Sequence, residues 1–268
     1  MFASPWIAAI FAIFFWWFFT GIILLIVRRA DRAGAASHRT SVVLSIPLLA
    51  LGIAGLTISA ASLSVANVYL AFFSVLLVWG WIELAFLAGI ITGPERSECP
   101  DTLTGWARFV RAWHTLSYHE LLLLCGLLVV TVITTGSENT FGFWSYFILF
   151  AARISAKLNL FFGVPRINTE FVPKPLHHLK SYFRQGHITV AFVIGVTFLS
   201  LATACFAERL ISAETAPMEA GFALLFALAA LATLEHWLMV IPLPDAKLWR
   251  WMLPALPTTS KTGQSHEL

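Results

Sequence analysis

Long apolar runs alternate with short polar stretches along almost the whole chain. The runs lie near residues 6–27, 42–63, 66–92, 115–135, 141–163, 187–207 and 217–241. Each is long enough to cross about 30 Å of hydrocarbon as a helix of roughly 20 residues. The pattern predicts an all-α, polytopic membrane protein with about seven transmembrane helices. The fifth run carries Arg153 and Lys157, so six spans with an interfacial fifth helix is the rival arrangement. The polar stretches decide between them. With seven alternating spans, all but Arg209 of the 17 Lys and Arg residues fall on one side. Without the fifth span the basic segments would be divided between the two faces. Basic loops stay in the cytoplasm, which predicts a periplasmic N-terminus and a cytoplasmic C-terminus.

A 59% hydrophobic and 12% charged composition, with mean hydropathy of +0.81, excludes a water-soluble globule. The net charge of +3 follows from the loop bias and is no sign of a nucleic-acid partner. Cys99, Cys125 and Cys205 are scattered and odd in number, so they read as small apolar fillers and not as a disulfide framework or thiolate cluster. The first run is long, lacks a basic leader and ends in RRADR, which reads as an uncleaved anchor. Residues 1–255 form one transmembrane helical domain in this reading, and 256–268 a disordered cytoplasmic tail.

The outer loops are short, and the basic face carries the particular segments. In 94–113, Trp106, Phe109, Val110 and Trp113 share an apolar helical face while Arg108 and Arg111 point elsewhere. This predicts an interfacial amphipathic helix. Segment 163–186 has three prolines and the adjacent His177 and His178, and a connection this long is more often functional than accidental. Beyond the last run, Leu248, Trp249, Trp251 and Met252 suit the headgroup region.

Ionisable residues inside the apolar runs are costly and usually have a task. At about 1.5 Å per residue, Glu83 lies roughly 14 Å from its span end at Thr92, and Arg153 about 15 Å from Gly163. Glu235 lies about 9 Å from Ile241 and Glu120 about 8 Å into the fourth span by the same rise. Glu83, Glu120, Arg153, Lys157 and Glu235, with His119 and His236, therefore converge on one half-layer that lipid cannot face. Several readings fit. One is a structural ion-pair network. Another is a metal site of Glu83, Glu120, Glu235 and His236, and a third a proton relay. The fourth is a tetrapyrrole pocket with His236 or His119 as axial ligand, in which Arg153 and Lys157, one turn apart, receive an anionic group. A di-iron carboxylate site would pair Glu and His three residues apart. Here His119–Glu120 and Glu235–His236 are adjacent and about 100° apart on the helix, which counts against it. No GxSxG, HExxH, CxxC or P-loop is present, so hydrolase, zinc protease, redox dithiol and nucleotide-driven functions have no motif in their favour.

These residues lie in long, specific stretches: WGWIELAFLAGIITGP (79–94), YHELLL (118–123), ARISAKLNLFFGVPRINTEF (152–171) and LEHWLMVIPLPDAKLWRWML (234–253), after the opening SPWIAAIFAIFFWWFFTGIILLIVRRADR. From about residue 4 to 254 the chain resembles the PuhE family, photosynthetic complex assembly proteins of purple and aerobic anoxygenic phototrophic bacteria. The resemblance implies a multi-pass protein of the bacterial inner (intracytoplasmic) membrane, in contact with lipids and with reaction centre/light-harvesting 1 or bacteriochlorophyll-biosynthesis proteins. It would serve assembly of that complex or the supply and biosynthesis of bacteriochlorophyll, and would be a non-enzymatic factor and not a photochemical subunit. Bacteriochlorophyll or a precursor is then the implied cofactor, ahead of iron or another metal. The alternative is a subunit or enzyme of tetrapyrrole modification that uses the intramembrane Glu/His set.

Overall fold

A computed structural model describes residues 4–243 of the chain. Leu248, Trp249, Trp251, Met252 and the tail from 256 lie outside the described residues. Within them the fold is all-helical: α1 (Pro5–Ala33), α2 (Ala35–Leu44), α3 (Ile46–Ser59), α4 (Val65–Leu87), α5 (Gly105–His114), α6 (Ser117–Thr134), α7 (Phe141–Phe162), α8 (Val190–Ile211) and α9 (Ala216–Leu238). Among the described residues, seven stretches are long and apolar enough to cross a membrane, with α2 and α3 counting together as one. The fifth, α7, is a full span of 22 residues.

The span ends differ from the apolar runs in two instructive places. The second span begins at Ala35, well before the apolar run, because its polar start keeps its groups satisfied within the helix. Thr40 and Ser41 donate their hydroxyls to the carbonyls one turn back, at 3.1 and 2.9 Å. His38 packs with its Nε2 3.2 Å from Asp31 Oδ1 of α1. The third span stops at Leu87 although the sequence stays apolar to Ile91. Gly89 adopts φ +71°, a left-handed conformation that favours glycine, and the N–H groups of Ile90 and Ile91 both turn back to Ala85 O.

The spans α4 and α9 are the most enclosed. The main core joins α1, α4, α7, α8 and α9 through Ala8, Phe72, Ile148, Leu199 and the α9 stripe Ala220, Leu224, Leu228. A second cluster, built on Leu56, Val75, Leu123 and Tyr146, attaches α3 and α6 to the α4–α7 pair. Tyr146 is fully buried and donates its hydroxyl to Leu123 O of α6 at 3.0 Å. A buried hydroxyl with an acceptor is what a membrane interior requires.

The segment between α7 and α8 folds under the bundle as two 3₁₀ turns, Thr169–Phe171 and Lys174–Tyr182. Three prolines keep it from forming one long helix. It is latched to the end of α1, where Arg28 donates to Glu170 O and Asp31 receives the Lys174 N–H at 3.3 Å. Leu176 and Leu179 pack on Phe86 of α4, so this segment forms the floor beneath the charged residues.

Candidate functional site

Five ionisable side chains from three helices meet around Phe86. Arg153 Nη2 donates to Glu83 Oε2 at 2.6 Å. Lys157, one turn further along α7, donates to Glu120 Oε1 of α6 and to His119 Nδ1, the latter at 2.8 Å. An ammonium has only donors, so the neutral His119 ring accepts at Nδ1 and carries its proton on Nε2. That proton faces Glu83 Oε1 at 3.6 Å, too far for a hydrogen bond. The ring lies 4.1 Å from the Phe86 ring centre, and Arg153 and Lys157 sit over the same phenyl at 5.9 and 5.4 Å. Both distances are within cation–π range. Phe86 thus stands in for lipid beside three polar heads, a role that its place in an apolar run did not signal.

The α4–α6 connection holds this arrangement in register. Thr92 O accepts both Tyr118 N–H and His119 N–H, at 2.9 and 3.1 Å. The start of α6 is thereby pinned to the turn that follows α4, and His119 and Glu120 are brought level with Glu83. Distance from a helix end is a poor measure of depth here. Glu83 lies four residues before the end of α4 and Arg153 nine before the end of α7, yet they are hydrogen-bonded.

Glu235 and His236 stand apart from this network. Helix α9 ends at Leu238, so Glu235 is only three residues from its end. It is exposed and borders a cavity. His236 is buried, its Nδ1–H donating to Ala232 O at 2.8 Å and its Nε2 accepting from Ser155 Oγ at 2.9 Å. His119 is completely buried and does not line the cavity. Among the described residues no group of three or more His, Cys, Asp and Glu side chains is placed to hold a metal ion. The set Glu83, Glu120, Glu235 and His236 is divided between the network and the α9 wall.

The cavity occupies about 560 Å³ between α1, α4, α7 and α9, within the usual range for small-molecule sites. Its inner end is apolar, formed by Trp16, Phe19, Leu76, Trp79, Leu149 and Leu228. A belt of Glu83, Arg153, Lys157, Glu235 and His236 crosses it, and the 3₁₀ segment closes it below with Phe171, Leu176 and Tyr182. About a third of the Arg153 side chain is accessible, whereas Glu83 is nearly enclosed. A shallower depression of about 690 Å³, lined by Pro165, Gln185, Gly186, His187 and Ile188, lies on the loop and has no charged cluster.

A polar clasp outside the seven candidate spans closes the end of the bundle that carries most of the basic residues. Arg108 donates to Tyr182 O at 2.6 Å and lies 4.4 Å over the Phe161 ring. Arg111 bonds Tyr182 Oη at 3.2 Å and pairs with Glu95 at 3.0 Å. Trp106 and Trp113 of the same helix point outward. Of the loop histidines, His177 is exposed and His178 half-buried, with burial pushing the His178 imidazole below its ordinary range. Hydrogen bonds from the Ser97 side chain and backbone hold the Glu95 carboxyl below the usual carboxylate range. A carboxyl lowered in the folded state stabilises above its unfolded value and loses that effect as pH falls through the folded one. Amide-exchange protection of Ser97 should therefore persist through mild acid and disappear on stronger acidification, and in Glu95→Gln the pH dependence should vanish. Protection that grows on acidification would contradict the clasp.

Residues 2–260 match a family described as "Protein of unknown function (DUF3623)". The chain is also similar to a Rhodobacter capsulatus protein named "Uncharacterized 30.4 kDa protein in puhA 5'region". The two are 49% identical over 259 residues, covering 97% of this chain and 94% of the relative. No solved structure matches the chain at a significant level.

Proposed function

We propose that this chain, which belongs to the DUF3623 family, serves the formation of a bacterial photosynthetic complex by holding bacteriochlorophyll or a precursor in the cavity between α1, α4, α7 and α9. The setting is the inner (intracytoplasmic) membrane, with the basic face in the cytoplasm. One observation carries the reading: the cavity joins an aromatic, apolar interior to a belt of charged groups, as a flat amphiphile with a polar edge requires. The resemblance to the PuhE family supports it, as does the relative's name, which refers to the puhA 5' region.

The residues fit such a ligand in part. Arg153 gives one N–H to Glu83 and is one-third accessible, which suits a ring carboxylate or carbonyl, and Lys157 lies beside it. A bound magnesium tetrapyrrole would supply a metal ion able to accept an imidazole nitrogen. His236 could take that position only by giving up Ser155, so the reading rests on the cavity and on Arg153 more than on the imidazole. The network of Glu83, His119, Glu120 and Lys157 fixes Arg153 in place.

The test is complementation in a phototrophic host that lacks the chain. Near-infrared absorbance of the assembled complexes should fall and return with the wild type. It should stay low with Ala156→Phe, which puts a phenyl into the cavity wall, at equal membrane abundance. Full absorbance without the chain would sink the reading.

A further inference from the structure

We propose that the cavity selects the free acid of its amphiphile over the alkyl ester, with Arg153 receiving the ligand carboxylate. This selectivity rests on the holding role above and decides which form of the ligand is held. Arg153 is under-used at hydrocarbon depth. A guanidinium carries five N–H donors, yet among the described residues its one hydrogen bond runs from Nη2 to Glu83 Oε2, at 2.6 Å. The pairing is single-pronged, because Glu83 Oε1 and Arg153 Nε are both enclosed and have no partner. Nη1 is left to the accessible third of the side chain. Unsatisfied donors inside a membrane are costly, and these call for a ligand with oxygens to offer.

The other basic groups that line the cavity are spent. Lys157 donates to Glu120 and His119. Arg166 donates to the carbonyls of Leu238 and Ile241, at and just beyond the end of α9. His236 uses one ring nitrogen on Ala232 O and the other on Ser155. Glu235 borders the same cavity but forms no ion pair with Arg153. Arg153 is also held still: Glu83 fixes Nη2, and Cζ lies 5.9 Å from the centre of the Phe86 ring. Its free end is therefore a preorganised fork.

A carboxylate matches such a fork with two parallel N–H···O bonds and the opposite charge. An ester in the same place offers one carbonyl oxygen and no charge, and its alkyl chain has to continue past the polar belt. There the 3₁₀ segment lies across the cavity, with Leu176 and Leu179 packed on Phe86. The apolar ring body belongs at the opposite end, among Trp16, Trp79 and Leu228. An acid ends where the cavity turns polar, and an ester does not.

The experiment measures binding to the full-length protein in lipid nanodiscs, with the signal of empty nanodiscs subtracted. The probes are pheophorbide a, a chlorin with one free carboxylic acid, and its methyl ester, each followed by quenching of tryptophan fluorescence. The acid should bind about 10- to 100-fold more tightly, as expected for hydrogen bonds to a charged group. Arg153→Gln should bring the acid down to the level of the ester. Equal binding of acid and ester to the wild type would overturn the selectivity without any variant and leave the holding role standing. A preference for the acid that survives in folded Arg153→Gln protein would overturn it equally. Binding of neither probe would overturn the holding role as well. Oleate is the third probe: weak competition is expected, and displacement of pheophorbide at equal concentration would support the carboxylate site while overturning the tetrapyrrole reading.

Discussion

Lys157→Met should destabilise the protein by about 3–5 kcal/mol, the loss expected when one partner of a buried ion pair is removed. The Glu120 side chain is 4% exposed and Lys157 15%, so the carboxylate left behind has no water to return to. His119 loses the donor at Nδ1 in the same step, although Met preserves the length and apolar stem of the lysine. The check is a thermal or denaturant melt of the purified protein in detergent. Glu120→Leu combined with Lys157→Met should regain most of the loss, because a buried ion pair replaced by apolar residues is often neutral. A single variant as stable as the wild type would mean that the network does not fasten α6 to α7.

Gly93→Ala is the second large effect, and it acts on the backbone. A Cβ at Gly93 would collide with His114 O and come within 2.8 Å of both His114 C and Leu116 N. These are main-chain atoms at the end of α5 and the entry to α6, with no flexible side chain to yield. Overpacking costs about 1–3 kcal/mol, and this contact belongs at the upper end. Thr92, the preceding residue, receives the Tyr118 and His119 N–H groups, so the same shift should move His119 away from Lys157. The check is the melt together with His119 nitrogen chemical shifts. An unchanged His119 environment in a folded Gly93→Ala protein would contradict the role given to this crossing.

The seven spans were legible in the sequence because lipid admits only helices with long apolar runs. Their ends were less so. The stretch 88–92 is as apolar as the helix before it, and only the backbone at Gly89 ends α4. The polar start at Ala35 is helical because its hydroxyls bond to backbone carbonyls one turn back. Convergence of Glu83, Glu120, Arg153 and Lys157 could be read from the cost of burying charge. The pairing of Arg153 with Glu83 and of Lys157 with Glu120 depends on how the helix ends interlock. Glu235 reads as about 9 Å deep from a run that ends at Ile241, but α9 ends three residues before that run does. Ser155 was missed because its partner is 81 residues away on another helix, and a serine between Ile154 and Ala156 reads as filler. No local motif could have signalled it.

The most direct test of the central claim is the absorption spectrum of the chain purified gently from phototrophic membranes, with mass analysis of the extracted pigment and Ala156→Phe prepared beside it. A tetrapyrrole near one per chain, lost in the folded Ala156→Phe protein, is the expected result. A folded wild-type protein that carries no tetrapyrrole, or an equal amount in Ala156→Phe, would contradict the assignment of the cavity.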